Sequence, residues 1–275
     1  MIRFVQPWVK EIPQPTTLEE AFRLGELAGR ISHRSEGKMT EDSWRNFIKK
    51  MEKLNHLSVL EFVPMYLSVP FNVPTKELED NEYTKTVYGD GTAPGGDGTA
   101  PGGDGYKYIT TNYRVLVEND WTDMVKYWKV SPAGPDPSGK VTPQHYLRYM
   151  FHVQTSIEIT REWNRHRKLS IVEQSTRYVL ATPDGRLPIC YGVTPFDNAE
   201  VDYFKEASKV YSYLIHKGRR KDAARRVLPL MTATQAFYSG FEDDWKKFIK
   251  DRTSTSAHEN IRPLAEEIER IIYGK

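Results

Sequence analysis

A dense cluster of polar side chains occupies the stretch RHRKLSIVEQSTRY, residues 165–178. Two arginines flank His166 at its start, and alternate positions further on carry Glu173, Ser175 and Arg177. In an extended chain, alternate side chains share one face, so these three would span about 13 Å at roughly 3.3 Å per residue. That is about the length of a mononucleotide. A guanidinium beside a hydroxyl can hold a phosphate, and a carboxylate can accept donors from a sugar or a base, so the spacing predicts a nucleotide site.

Both parts of the stretch also have a purely structural interpretation. If the Arg-His-Arg triplet lies in the last turn of a helix, its charge meets the negative end of the helix macrodipole. The alternating charges after it could form a surface ladder of cross-strand ion pairs. A ladder of that kind would need no particular order of residues.

Composition narrows the class of protein. The chain has 275 residues and a net charge of +2, from 39 basic and 37 acidic side chains, which gives little support for a broad nucleic-acid-binding face. Its single cysteine, Cys190, excludes an internal disulfide and a multi-cysteine metal site. Prolines interrupt the N-terminal stretch where a signal peptide needs apolar residues. We therefore expect a cytoplasmic protein that does not enter a membrane.

Periodicity and capping signals predict a chain rich in helices with a few strands. Helices are expected at 16–31, 40–54, 121–128, 156–167, 198–217, 219–250 (broken near Pro229 and Gly240) and 256–273. Extended stretches are expected at 59–69 and 108–119. Because alternating βαβ units are missing, the pattern indicates an α+β fold rather than a doubly wound sheet.

A seven-residue repeat, GDGTAPGGDGTAPGGDG, fills residues 89–105. It offers no apolar surface to offset the entropy of ordering, so we expect an exposed loop within a large insertion. A phosphate-binding glycine loop would need a strand before it and a helix after it, and neither surrounds this repeat. The calcium-binding repeat has a period of nine residues, which does not match.

The opening stretch resembles the signature of flavin-dependent thymidylate synthases, which reads Arg-His-Arg, seven residues, then Ser. The match falls on Arg165, His166, Arg167 and Ser175, and extends through Glu173, Arg177 and Tyr178. Four other segments are similar to segments of that family: GRISHRS (29–35), NHLSVLEF (55–62), AARRVLPL (223–230) and DRTSTSAHENI (251–261). The segments TTNYRVLVEN and GFEDDWKKF resemble the branch of the family with a longer insertion.

The resemblance implies one α+β domain over residues 1–275, with a mixed or antiparallel sheet flanked by helices and a loop-rich insertion at about 70–145. It also implies which residues bind. The substrate-binding residues would be Glu162, Glu173, Ser175, Thr176, Arg177, Arg225 and Arg252. The cofactor-binding residues would be Ser32, His56, Ser58, Arg165, His166, Arg167, Ser170, Glu173 and His258. Arg252 would be catalytic, because its guanidinium would stabilise charge that develops at a uracil carbonyl.

The chemistry implied by the resemblance converts dUMP to dTMP. Methylenetetrahydrofolate would supply the carbon, and FAD reduced by NADPH would supply the hydride, without an enzyme cysteine as nucleophile. Cys190 agrees with this, because no basic residue closer than Arg186 could lower the pKa of its thiol. The family is homotetrameric with active sites shared among subunits, which we therefore expect here.

Two positions depart from the family pattern. Glu162 stands where the family often has Gln, and Phe241 and Asp243 stand where shorter members have an Asn-x-Arg pair that helps to bind flavin. These departures keep open a flavin-dependent pyrimidine nucleotide 5-hydroxymethylase on the same fold. A third interpretation, from another class, is a nucleic-acid-binding module that uses the basic stretch and the 16 tyrosines.

Overall fold

The computed structural model describes residues 1–88, 105–129 and 145–274. Its helices are α1 (Leu18–Ile31), α2 (Ser43–Lys53), α3 (Lys76–Glu79), α4 (Tyr113–Glu118), α5 (Ile157–Trp163), α6 (Asn198–His216), α7 (Lys221–Ala224), α8 (Glu242–Arg252) and α9 (Arg262–Tyr273). Its strands are β1 (Ile2–Val5), β2 (Trp8–Ile12), β3 (Pro64–Pro70), β4 (Lys85–Tyr88), β5 (Tyr106–Asn112), β6 (Arg148–Ser156), β7 (Ser170–Glu173), β8 (Leu187–Cys190) and β9 (Ala233–Phe241). The predicted repeat loop lies outside the described residues, apart from Gly105.

The chain divides into two compact units. Unit 1 contains Met1–Ile12, Gly29–Gly37 and Met150–Lys275, and unit 2 contains Pro13–Ala28 and Lys38–Tyr149. Helices lie beside strands that pair mainly antiparallel, so the predicted α+β class with a mixed or antiparallel sheet is confirmed. A single family domain over 1–275 stays a prediction. None of the helices in the described ranges combines the length and the apolar character needed to span a bilayer.

Unit 2 is built on an antiparallel sheet in the order β3-β5-β4, with Leu67 opposite Ile109. Its apolar core joins the sheet to the buried faces of α1 and α2, where the rings of Phe22 and Trp44 stack 5.1 Å apart. The predicted extended stretch 108–119 is correct only as far as Asn112. There the Asn112 side chain accepts a hydrogen bond from the Val115 amide, which caps α4 and ends the strand.

Unit 1 contains a four-stranded sheet in the order β2-β6-β9-β7 and a parallel pair, β1-β8. Antiparallel registers place Val9 opposite Val153 and Ile171 opposite Tyr238. Trp163, at the end of α5, is fully buried, and its ring stacks on Tyr238 of β9 at 4.4 Å. This packing holds α5 against the sheet.

The helix predicted at 219–250 is wrong over much of its length. Residues 233–241 form β9, an inner strand of the unit 1 sheet, and α-helix resumes only at Glu242. Every residue of β9 is buried except the half-buried Gln235, so the strand lacks the alternation that distinguishes a strand from a buried helix in sequence. Gly240 shows how close the packing is, since a Cβ there would lie 2.5 Å from Leu169 Cδ2. Smaller errors concern the helix predicted at 156–167, which ends at Trp163, and the strand predicted at 59–69, which begins with a 3-10 helix, Leu57–Phe62.

Candidate functional site

Two clefts of unit 1 collect most of the predicted site residues. The larger of these two, which we name the 173–230 cleft, has a volume of about 620 Å³. The other, which we name the 165–252 cleft, has a volume of about 440 Å³. Residues of the first include Arg161, Glu173, Ser175, Thr176, Arg225 and Arg226. Residues of the second include Arg165, His166, Arg167, Asp243, Asp251 and Arg252.

The 173–230 cleft is suited to a small anion. Three arginines, Arg161, Arg225 and Arg226, line it against one carboxylate, that of Glu173. The Arg225 guanidinium is exposed, and its Nη1 donates to Thr176 Oγ1 at 3.3 Å. Guanidinium and hydroxyl groups on one wall form the donor set that a phosphate requires.

Glu173 is the acidic group of this cleft, at the end of β7. Thr160 Oγ1 donates to Glu173 Oε1 at 3.1 Å, and burial raises the pKa of the Glu173 carboxyl above its usual value. A partly desolvated carboxyl of this kind gains from additional hydrogen-bond donors. It can therefore orient the hydroxyl or N–H groups of a ligand.

The predicted extended face of Glu173, Ser175 and Arg177 is wrong. Strand β7 ends at Glu173, and residues 176–178 form a turn in which the Arg177 amide donates to Ser175 Oγ at 3.2 Å. A serine hydroxyl that bonds the backbone two residues on favours a turn over an extended strand. Arg177 is exposed and is not among the residues that line the cleft; its guanidinium carbon lies 5.1 Å from the centre of the Tyr178 ring.

In the 165–252 cleft, Arg252 at the end of α8 forms hydrogen bonds with Glu162 on α5 and with His166, which follows that helix. Its Nη1 donates to Glu162 Oε2 at 2.8 Å, and its Nη2 donates to the Glu162 carbonyl at 2.7 Å. Its Nε donates to His166 Nε2 at 2.9 Å. Every nitrogen of this guanidinium therefore donates within unit 1. Glu162, the first of the two departures from the family pattern, thus has a structural role, because its carboxylate forms an ion pair with Arg252.

His166 is held as a neutral imidazole. Burial, and then the positive charge of Arg252, lower the pKa of His166 to about 4. Because Nε2 accepts the hydrogen bond from Arg252, the ring proton lies on Nδ1. At neutral pH this imidazole can donate from Nδ1 without adding a positive charge to the cleft.

Charges of both signs surround the 165–252 cleft. Arg165, Arg167 and Lys168 are exposed, and Asp243 and Asp251 face them from α8. Phe241 belongs to the second departure from the family pattern. It is buried at the end of β9, where its side chain is part of the hydrophobic core. Asp243 in the first turn of α8 lines the cleft.

The other predicted cofactor residues lie in several places. Ser32 is beside the substrate residues, because its carbonyl accepts from the Ser175 amide at 2.9 Å. Ser170 is 3% exposed within β7 and lines neither cleft. His258 Nε2 lies 3.4 Å from Glu158 Oε1. His56 and Ser58 are exposed residues of unit 2.

Sequence reasoning missed Arg161 and Arg226, which line the 173–230 cleft. Arg226 directly follows Arg225 in AARRVLPL, and this adjacency was an available signal. Arg161 and Glu162 are neighbours on α5, where successive side chains point about 100° apart. Arg161 therefore lines one cleft while Glu162 bonds Arg252 in the other.

Comparison with known proteins identifies the family. A family model described as thymidylate synthase complementing protein matches residues 137–275, which is half of the chain. The chain belongs to this family, and the resemblance seen in the sequence is confirmed.

Curated relatives carry related names. Over 134 residues the chain is 32% identical to a probable flavin-dependent thymidylate synthase of Mycobacterium phage D29, covering 43% of this chain and 57% of that protein. Over 146 residues it is 27% identical to the flavin-dependent thymidylate synthase of Thermus thermophilus, and this alignment covers 48% of this chain and 54% of that protein. The chain thus spans a little over half the length of these relatives.

One solved structure, thymidylate synthase X from Helicobacter pylori with FAD and dUMP, aligns at 18% identity and a TM-score of 0.38. The alignment covers 44% of this chain and 65% of that one. A likeness of this degree carries no argument about fold or ligand.

Proposed function

We propose that this chain is a cytoplasmic, homotetrameric thymidylate synthase that uses FAD. It converts dUMP to dTMP, with methylenetetrahydrofolate as the carbon donor and NADPH as the source of reducing equivalents. The observation that carries the proposal is the 173–230 cleft, in which signature residues Glu173 and Ser175 meet Arg225 from a distant segment. The family match supports it.

In this proposal the 173–230 cleft binds dUMP. Arg225, Arg226 and the hydroxyls of Ser175 and Thr176 hold the phosphate, since they supply cationic and neutral donors together. Glu173 accepts from the sugar or the base. Arg177 is exposed on the turn beside the cleft, where it adds positive charge rather than a lining side chain.

The residues of the 165–252 cleft fit a flavin dinucleotide. Arg165, Arg167 and Lys168 are exposed cations that suit a diphosphate. The neutral His166 ring and the Leu169 side chain offer an uncharged surface to a ring system. When bound, FAD supplies the hydride chemistry. Arg252 holds His166 and Glu162 in place, and in the proposed reaction part of its guanidinium turns from Glu162 to stabilise an oxyanion on the pyrimidine.

The division between the two clefts supports the proposal of an active site shared between subunits. Arg252 lies in one cleft of the chain, and the residues proposed to bind phosphate line the other. If subunits assemble with the 165–252 cleft of one copy against the 173–230 cleft of another, Arg252 reaches the nucleotide held by its neighbour. This arrangement accounts for the assignment of Arg252 as catalytic.

The structure weakens the reason for the hydroxymethylase alternative. That alternative rested partly on Glu162 changing contacts with the substrate. Glu162 is not among the residues that line the 173–230 cleft, and its carboxylate is engaged by Arg252.

The test is turnover by the purified protein reconstituted with FAD. With NADPH and methylenetetrahydrofolate we expect dUMP to become dTMP, and we expect Cys190→Ala to keep near-normal activity. Cys190 is buried in β8, and burial raises the pKa of its thiol to about 12, so it is not a thiolate at neutral pH.

Protein that takes up FAD but leaves dUMP unchanged would contradict the proposed function. Loss of turnover in a folded Cys190→Ala variant would contradict the mechanism without an enzyme nucleophile. Circular dichroism of that variant separates loss of chemistry from loss of fold.

A further inference from the structure

Consecutive residues of the 29–37 segment contact the turn that follows β7. The Ser32 carbonyl accepts from the Ser175 amide at 2.9 Å. The ring of His33 stacks on that of Tyr178, with centres 5.3 Å apart and planes inclined by 26°. The turn that carries the proposed phosphate ligands is thus held by a segment remote in sequence.

Arg34 extends this contact to both ends of the turn. Its Nη2 donates to Gln174 Oε1 at 2.9 Å, and its Nη1 donates to the Leu180 carbonyl at 2.9 Å. One guanidinium therefore bridges the residues that begin and end the segment 174–180, which we name the substrate loop. A rigid planar fork with both arms engaged limits how far the two ends can separate.

The backbone of Arg34 is unusual. Its φ of +48° lies in the left-handed region, where a Cβ is disfavoured and glycine is the common choice. An arginine at such a position is best explained by what its side chain does. Here the side chain donates to two acceptors of the substrate loop.

The Arg34 guanidinium is outside ion-pair distance of the carboxylates in the described part of the chain, although the charges of Glu36 and Asp184 act on it from further away. Among the ion pairs within 4.0 Å in the described part of the chain, none contains Arg34, whereas Arg3 pairs with Asp184 at 3.6 Å. Both arginines line a small cavity of about 130 Å³. Arg34 therefore acts as a donor to the loop and not as half of a salt bridge.

We propose that Arg34 is a positioning residue for substrate binding: it fixes the substrate loop so that Ser175 and Thr176 line the 173–230 cleft. Naming dUMP as the ligand rests on the proposed function. The bridge across the loop does not depend on that proposal, and the two parts are measured separately.

The experiment compares Arg34→Gly, Arg34→Asn and Arg34→Lys with the wild type. Glycine and asparagine tolerate the left-handed backbone, so both variants should keep the native fold. Relief of backbone strain offsets part of the stability that is lost with the two hydrogen bonds of Arg34. Lysine keeps the charge but can engage only one end of the loop at a time. Arg3→Gln is the matched control, because it removes a guanidinium from the same cavity, and the ion pair that it breaks is with Asp184, outside the loop.

Amide hydrogen exchange measures how well the substrate loop is held in the absence of any ligand. In Arg34→Gly and Arg34→Asn, the amides of Ser175 and Val179 should exchange faster, while amides of β9 keep their wild-type rates. Calorimetry with dUMP should give a Kd roughly tenfold higher, as expected when charged hydrogen bonds that fix a binding loop are lost. FAD absorbance should not change. KM for dUMP should rise with kcat nearly constant, and Arg34→Lys should lie between the wild type and Arg34→Gly.

Wild-type exchange rates in the loop of both Arg34→Gly and Arg34→Asn would overturn the proposal, and so would an unchanged Kd for dUMP. An equal effect of Arg3→Gln would overturn it too, because cavity charge and not the bridge would then be responsible. If the wild type does not bind dUMP, the proposed function fails, and the exchange rates alone decide whether Arg34 positions the loop.

Discussion

The ion pair between Glu162 and Arg252 can be measured by a double-mutant cycle with Glu162→Gln and Arg252→Gln. The pair is partly buried, since the Arg252 side chain is 13% exposed and that of Glu162 is 33% exposed. Glutamine preserves the size of Glu162 and an acceptor oxygen, so the change removes mainly the charge. The cycle subtracts the bond of Arg252 to His166, which both arginine variants lose.

The expected coupling free energy lies between those of two known situations. Exposed ion pairs contribute roughly 0.2–1 kcal/mol, and breaking a buried pair costs about 3–5 kcal/mol. With a 2.8 Å Nη1–Oε2 contact and one partner largely buried, we expect a coupling of about 1–2 kcal/mol. Salt should reduce it only in part, because partly buried charges are less screened.

The assay is urea denaturation followed by both tryptophan fluorescence and circular dichroism, with free energies taken where the two transitions coincide. Lys247 and Asp251, also on α8, provide a matched control. Their ions lie 2.9 Å apart but are 73% and 40% exposed, so the same cycle should give less than about 0.5 kcal/mol. A Glu162–Arg252 coupling no larger than that of the control would refute the view that partial burial makes this pair stronger than an exposed one.

Two further predictions concern assembly and pH. Arg225→Ala and Arg252→Ala subunits should each be inactive alone, but equal amounts that are mixed and reassembled should recover about a quarter of wild-type activity. A quarter is expected because each site then takes one cleft from each of two subunits, and each cleft is intact half of the time. No recovery would contradict the shared site. His145 is 2% exposed, and burial lowers the pKa of its imidazole to about 4. As the pH falls, the unfolded chain therefore protonates this histidine before the folded chain does, and the free energy of unfolding decreases between about pH 6.5 and pH 4. His145→Gln should remove about 2–3 kcal/mol of that loss, seen as a shallower fall in unfolding free energy over that range; an unchanged slope would show that His145 does not titrate as proposed.

Local signals in the sequence were sufficient for several elements. Helix α6 begins where Asp197 and Glu200 form a capping box, and α1 and α2 have apolar stripes that match their buried faces. These signals depend on residues within a turn or two of each other. The signature stretch likewise indicated the family by itself, because it depends on residue types at fixed spacing.

Contacts between distant residues were decided only by the tertiary structure. Strand β9 looked helical, because an inner strand buried on both faces has no alternation to reveal it. Arg252 meets Glu162 across 90 positions of sequence, because stacking of Trp163 on Tyr238 and Phe248 brings α5 and α8 together.

The sequence alone therefore determined the family, the α+β class and most of the residues proposed to bind ligands. It could not determine how those residues divide between two clefts, nor that the chain turns after Glu173 instead of continuing as a strand. The division between clefts depends on packing between segments far apart in the chain, and the turn combines a local Ser175–Arg177 hydrogen bond with contacts to the distant 29–37 segment. Such packing follows from the shape of the folded core and leaves no periodic trace in the segments themselves.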